Sequence, residues 1–259
     1  MIKLNQIATR APEGYDKRKI KARTELLLNE ISDLQIKMNA AKESGLLIIL
    51  QGLDASGKDG VIRNIFSKVS PFGVSLKAFG PPTEEEYSYD FLWRVHKEVP
   101  AKGMIKIFNR SHYEDILVPG IEGYINKDVI EKRFEHINAF ERLLDESNTK
   151  ILKFYLHVSK EKQRTRLLER LQIRRKHYKH HDSDWTTREK FEQYQALYER
   201  IINECNVVPW HVIPSDQNWI KTYEVAKVIL RALKDMDLVW PELNSNLFTP
   251  GKIDYDKLK

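Results

Sequence analysis

Apolar positions near the start of the chain change their spacing abruptly. Between residues 17 and 43, Ile20, Leu27, Ile31, Leu34 and Met38 recur at intervals of three, four and seven, which predicts an amphipathic helix ended by Gly45. Leu46-Leu47-Ile48-Ile49-Leu50 then runs without a polar break, the pattern of a strand buried on both faces. A glycine-rich turn follows, and after it a helix from Lys58 to about Val69. The alternation recurs downstream. Ser75–Phe79 reads as a strand, and Thr83 with Glu86 has the spacing of a capping box, predicting a helix that stops near Pro100. Met104–Asn109 is a strand, Asp128–Glu146 a helix and Ile151–His157 a strand. A long charged helical stretch runs from Lys160 to about Cys205, followed by a strand at Trp210–Pro214 and a helix at Thr222–Leu233. The tail from Asp235 to Lys259, with Pro241, Pro250 and Gly251, is expected to be irregular.

Five strands alternating with helices predict the α/β class, with a parallel sheet covered on both faces. Ligands of such sheets sit at the carboxyl ends of the strands, so the residues just after positions 50, 79, 109, 157 and 214 are expected to converge. Residues 1–259 are expected to form a single domain, without internal repeats.

Composition narrows the partners only slightly. A net charge of +6 favours an anion, without choosing among nucleotide, nucleic acid, polyanion and membrane surface. The lone Cys205 excludes an intrachain disulfide and a cysteine-based metal site, and is expected to be a buried, inert thiol. Met1–Gly14 carries no signal-peptide pattern and Leu46–Leu50 is too short to span a bilayer, so a cytoplasmic protein with no membrane partner is expected.

The chemistry begins at Gly52-Leu53-Asp54-Ala55-Ser56-Gly57-Lys58. Glycines there let successive backbone N–H groups turn around phosphate oxygens, a lysine neutralises charge, and the next helix presents its positive end. Two letters depart from the usual pattern. Asp59 stands where most such loops carry a magnesium-holding Ser or Thr, and Asp54 is an acid inside the loop. An acid beside phosphates repels them unless a cation intervenes, so Asp54 is expected to orient magnesium or an acceptor phosphate; the plainer role is a turn-forming side chain.

A second motif, Asn109-Arg110-Ser111-His112-Tyr113-Glu114-Asp115, follows the third strand. That strand end often carries an acid that holds magnesium through water. Here it carries Asn109, while Arg110 can grip phosphate bidentately and Ser111 with Glu114 has capping-box spacing. Between Lys160 and Lys179 stand nine basic residues against Glu161 and Glu169, with Arg166, Arg170 and Arg174 four apart on one expected helix face. Unpaired, they would repel one another, and a polyanion under a closing lid would resolve that.

With these pieces and Trp210-His211-Val212-Ile213-Pro214-Ser215-Asp216, the chain resembles the polyphosphate kinase 2 family from roughly residue 15 to 235. The resemblance implies a three-layer phosphate-loop (P-loop) kinase fold, a five-stranded parallel sheet with a basic helical lid over about 160–205. It implies transfer of the terminal phosphoryl of inorganic polyphosphate to ADP, and also to AMP, with magnesium or manganese, in a dimer or tetramer that binds no nucleic acid. It makes Asp54, Lys58, Arg110 and Glu114 catalytic, and assigns phosphate or polyphosphate binding to Ala55, Ser56, Gly57, Lys58, Asp59, Gly60, Arg63, Lys68, Arg174 and Arg175. Arg94, Asn109 and Arg110 would face the nucleotide, and Asp54 and Asp115 the metal. Many members read Phe-Asp-Arg-Ser-Trp-Tyr-Asn at the second motif; Asn109, His112 and Glu114 resemble the subgroup that accepts both mono- and diphosphates. The rival readings are an ATP-dependent nucleoside-monophosphate kinase and a phosphate-loop protein binding nucleic acid through the basic helix.

Overall fold

The computed structural model describes residues 1–245 and residue 248. Its five strands are β1 (Gly45–Gln51), β2 (Val74–Ala78), β3 (Ile105–Asn109), β4 (Thr149–His157) and β5 (Trp210–Pro214), all parallel, in the order β2-β3-β1-β4-β5. Strand β1 lies in the middle, where the order reverses, and every residue along it is buried. Its side chains alternate between two cores. Leu47 and Ile49 pack with Phe108, Ile151 and Tyr155, while Leu46, Ile48 and Leu50 pack with Ile107, Leu152 and Phe154. Each such aliphatic side chain stabilises the sheet by roughly 1.5–3 kcal/mol, which is why an unbroken apolar run reads as a central strand.

Helices α1 (Lys17–Ala41), α2 (Lys58–Phe66) and α10 (Asn218–Lys234) cover one face. Helices α5 (Glu114–Ile121), α6 (Lys127–Glu146) and α9 (Phe191–Glu204) cover the other. This is the expected phosphate-loop kinase arrangement, with the glycine-rich turn between β1 and α2. Asp16 caps α1 by accepting from Lys19 N (2.7 Å), and Lys42 ends it in the left-handed region, so Gly45 opens β1 and does not stop the helix.

Two predicted helices are broken. The Thr83–Glu86 capping box forms, yet α3 (Glu84–Tyr87) lasts one turn and α4 (Trp93–His96) starts afresh. Asp90 separates them because its carboxylate accepts from the N–H groups of Leu92 (2.9 Å) and Trp93 (3.1 Å), competing with a continuous helix. The charged stretch is likewise four pieces: α7 (Lys160–Gln172), a 3-10 segment at Arg174–Lys179, α8 (Ser183–Glu189) and α9. Ile173 is extended (φ −105°, ψ 107°), so Arg174 does not share a helix face with Arg166 and Arg170. Residues 235–245 are irregular as expected, and the rest of the predicted tail, Phe248 apart, lies outside the described residues. Among the described residues no helix is long and apolar enough to cross a membrane.

Beneath the second motif the core buries a charge network. Lys153 on β4 donates to Glu141 Oε2 on α6 (2.6 Å), to Tyr113 Oη (3.0 Å) and to the Cys205 carbonyl (2.8 Å). Tyr113 Oη donates to Glu141 Oε1 (2.6 Å), and His112 Nε2 lies 3.4 Å from that oxygen. Burial lowers the Lys153 pKa; burial also opposes ionisation of Glu141, but His112 and Lys153 outweigh it and hold the carboxyl below its usual value. Cys205 is the buried thiol expected, its pKa pushed up to about 12 by burial. Glu141→Gln leaves the Lys153 ammonium without its counter-ion and is expected to cost about 3–5 kcal/mol in urea unfolding, with Glu141→Gln/Lys153→Met recovering most of it. Equal stability of the single variant and the wild type would refute a paired network.

Candidate active site

The loop after β1 owes its shape to three left-handed or glycine-only positions. Gly52 has φ 143°, and a Cβ there would lie 2.9 Å from both the Leu156 carbonyl and Ser56 Oγ. Gly57 has φ 100° and Ala55, unusually for an L-residue, φ 61°. Lys58, the first residue of α2, is 8% exposed and folds back so that Nζ donates to Gly52 O (2.6 Å) and Leu53 O (3.4 Å). Burial, then the nearby Arg110 guanidinium, brings its pKa down to about 8.

The second motif meets the loop at its odd letters. Arg110, itself left-handed (φ 64°), donates its backbone N–H to Leu50 O (3.0 Å) and its guanidinium to Asp54. Glu114 Oε2 lies 3.9 Å from Arg110 Nη1; burial raises its pKa against the pull of Arg110 and Lys58. The Ser111–Glu114 capping box does not form, since α5 is entered through Tyr113 without a side-chain cap. Asn109 Nδ2 donates to Asp59 Oδ1 (3.0 Å), and Lys179 reaches Asp59 Oδ2 (2.5 Å). Burial of Asp59 is outweighed by the bonds from Lys179 and Asn109, and its pKa falls below the usual carboxylate value.

The basic segment closes over these residues, but with partners. Arg166 donates to four carbonyls: Ala55 and Ser56 (2.9 Å each), Ser215 (2.7 Å) and Asp216 (3.2 Å). Arg170 pairs with Asp184 (2.5 Å) and Lys176 with Glu169 (2.5 Å). Mutual repulsion is thus relieved by acids from α7 itself, from α8 and from α2, and by the loop carbonyls, a correction to the expected unpaired arginine face.

Two clefts meet here. One, of about 430 Å³, is lined by Lys58, Asp59, Arg166, Arg170, Lys179 and Lys221 among others. The second, of about 570 Å³, is lined by Pro81, Glu114, Val118, Thr187, Tyr194 and Tyr198 among others. Asp54, Arg110, His181 and Asp184 border both.

Of the expected residues, Asp54, Ala55, Gly57, Lys58, Asp59, Gly60, Asn109 and Arg110 line the first cleft and Glu114 the second, while Ser56 is buried under the loop. Others lie elsewhere. Arg94 is buried, its Nη2 donating to both carboxylate oxygens of Asp115 (3.2 and 2.9 Å) and its Nη1 to Gly80 O (2.9 Å), so neither the proposed nucleotide arginine nor the second metal acid lines either of these clefts. Burial raises the Asp115 pKa against that pairing. Arg63 is exposed on α2 outside both linings, and Lys68, past its end, pairs with Glu25. Arg174 and Arg175 point to solvent from the 3-10 segment, where Lys176 and Lys179 take the inner positions instead. Lys221 was missed because α10 begins four residues earlier than its apolar pattern indicates. Tyr194 and Tyr198 were hidden because an apolar helix face reads as core.

Comparison with known proteins places the chain. The model of the family described as polyphosphate kinase 2 matches residues 14–240. The AMP/ADP-polyphosphate phosphotransferase of Meiothermus ruber is 42% identical over 219 residues, 84% of this chain and 82% of that protein. The ADP-polyphosphate phosphotransferase of Rhodopseudomonas palustris is 34% identical over 83% of this chain and 79% of that protein. The crystal structure of polyphosphate kinase 2 from Arthrobacter aurescens TC1 matches with a TM-score of 0.91 at 34% identity, covering 99% of this chain and 92% of that one. The loop, the second motif and the Trp210–Asp216 segment all fall within the matched span, and the chain belongs to the polyphosphate kinase 2 family.

Proposed function

We propose that the enzyme transfers the terminal phosphoryl group of inorganic polyphosphate to ADP, and also to AMP. The observation that carries this is the meeting of two clefts at the Asp54–Arg110 pair. The first presents seven Lys and Arg side chains against four carboxylates, the balance suited to a phosphate chain. The second, with Pro81, Val118, Tyr194 and Tyr198, suits a nucleoside whose phosphates point to Arg110. The transfer forms a bond between a nucleotide phosphate oxygen and the terminal phosphorus, and breaks the bond to the bridging oxygen, leaving the chain one phosphate shorter. The attacking oxygen is already anionic, so no general base is required. Glu114, though expected to be catalytic, acts here by orienting Arg110. Catalysis rests on alignment and charge neutralisation by Lys58, Arg110 and the loop.

Magnesium fits this site on one condition. Among the described residues no group of three or more His, Cys, Asp or Glu is placed to hold a metal, so phosphate oxygens must provide most of the ligands. Asp54 is the acid that fits, since it borders both clefts, and Asp184 stands close enough for the charge of Asp54 to add to its burial-raised pKa. When bound, the cation would neutralise phosphate charge at that junction. The same reading makes the enzyme a cytoplasmic homo-oligomer, and exposed Leu26 and Ile36 on α1 support an interface there.

Formation of ATP from polyphosphate and ADP alone, with no other donor, tests the assignment and separates it from an ATP-dependent kinase. Asp54→Asn and Lys58→Ala are each expected to lower that rate by at least about a hundredfold; near-normal rates would sink the assignment. The Lys58 pKa of about 8 gives a sign for pH. Bound phosphate stabilises the ammonium and raises that pKa, so binding above pH 8 takes up a proton and affinity falls as pH rises. Calorimetric titration with polyphosphate in buffers of different ionisation enthalpy should show this uptake, and proton release would contradict it.

A further inference from the structure

Lys221 lies in the first turn of α10, 1% exposed, with its Nζ in the wall of the basic cleft. That Nζ donates to Ser56 O and to Asn218 Oδ1, both at 3.2 Å and both uncharged. The ionic groups acting on it are Arg166 from α7 and Lys58 from α2, both cations. The cleft's four carboxylates are engaged elsewhere: Asp54 with Arg110, Asp59 with Lys179, Glu169 with Lys176 and Asp184 with Arg170. A buried ammonium without a counter-ion is costly, and a lysine retained only to brace the loop would be better served by a carboxylate or by an apolar side chain of the same length. Burial, reinforced by Arg166 and Lys58, brings its pKa down to about 7. The loop is shaped to admit it. A Cβ on Gly57 would lie 2.0 Å from Lys221 Nζ, so a larger residue there would displace the ammonium, and the φ of 100° itself favours glycine.

We propose that Lys221 is a ligand of the phosphate chain, an ammonium that enters the loop from α10 and turns from Ser56 and Asn218 to a non-bridging phosphate oxygen when the chain binds. This rests on the assignment of polyphosphate to the basic cleft. The arriving anion supplies the counter-charge that the fold withholds. In the free protein Lys221 is partly neutral near pH 7, and the bound chain fixes its proton, so chain binding is coupled to proton uptake at neutral pH as well as above it.

Lys221→Met keeps the length of the side chain and removes the charge. The KM for polyphosphate is expected to rise by about tenfold to a hundredfold, the effect of losing one charge-assisted hydrogen bond, while the KM for ADP moves by less than about twofold. Titration with tripolyphosphate at neutral pH should show weaker binding and smaller proton uptake than in the wild type. The ligand-free variant should melt at or above the wild-type temperature, because an uncompensated buried charge is gone. Unchanged KM and proton uptake in the folded variant would overturn the proposal. So would a lower ligand-free melting temperature with both KM values raised together, the signature of a brace. Failure of the wild type to make ATP from polyphosphate would overturn the cleft's substrate assignment, whereas the tripolyphosphate titration reads Lys221 without turnover.

Discussion

A loop that turns its amides toward an anion turns its carbonyls outward, and those carbonyls need donors of their own. Here a single guanidinium meets much of that need: Arg166 holds Ala55 O and Ser56 O of the loop together with Ser215 O and Asp216 O at the end of β5. Ser215 Oγ adds a bond to Ser56 O (2.5 Å), and the Asp216 carboxylate accepts from Thr9 Oγ1, Ser159 N and Ser159 Oγ, each at 2.9 Å. Ser159 is the N-cap of α7. The loop, the last strand and α7 are therefore one hydrogen-bonded unit. Any displacement of α7 has to break the carbonyl bonds of Arg166, which couples the position of that helix to loop geometry.

Charge in the basic cleft is arranged in two classes. Outer cations are matched one to one with acids, so they carry little net field when the cleft is empty. Lys58, Arg166 and Lys221 have only uncharged hydrogen-bond partners, and all three are tied to the loop backbone. Excess positive charge is thereby concentrated where a phosphate would sit, while Arg170, Lys176 and Lys179 are each held by an acid.

Much of this was legible in the sequence, for physical reasons that also explain what was not. The sheet was legible because β1 is central, and burial on both faces leaves a continuous apolar run. The loop was legible because positive φ and close approach demand glycine at Gly52 and Gly57. Helix continuity was not, because Asp90 and Ile173 interrupt by local side-chain and backbone geometry that periodicity does not register. Ion-pair partners were not, since Asp115 and Arg94 are 21 residues apart and choose each other only once α4 and α5 are packed. The docking of Leu4 by its N–H to Glu199 (2.7 Å) was equally hidden, a contact 195 residues away in the chain.

Both letters that break the usual loop pattern are bonded to letters of the second motif, Asp54 to Arg110 and Asp59 to Asn109, and Asn109 breaks that motif in turn. Asp59 stands where a hydroxyl would hold magnesium, and Asn109 stands where an acid would share that ion. With aspartate at both places two carboxylates would face each other across 3.0 Å; with Asn109 the contact is a hydrogen bond, and Lys179 takes the remaining oxygen of Asp59. The customary metal position is thus closed by a neutral donor and an ammonium. Asp54, held by Arg110 at the junction of both clefts, is the loop acid left facing the substrates. For a reaction that joins two polyanions end to end, neutralising charge at that junction lowers the barrier more than gripping either chain along its length, because repulsion is greatest where the transferred group passes between them. On the proposed reading, Asp59 in place of Ser or Thr and Asn109 in place of an acid leave Asp54 as the acid that would hold a cation at that point.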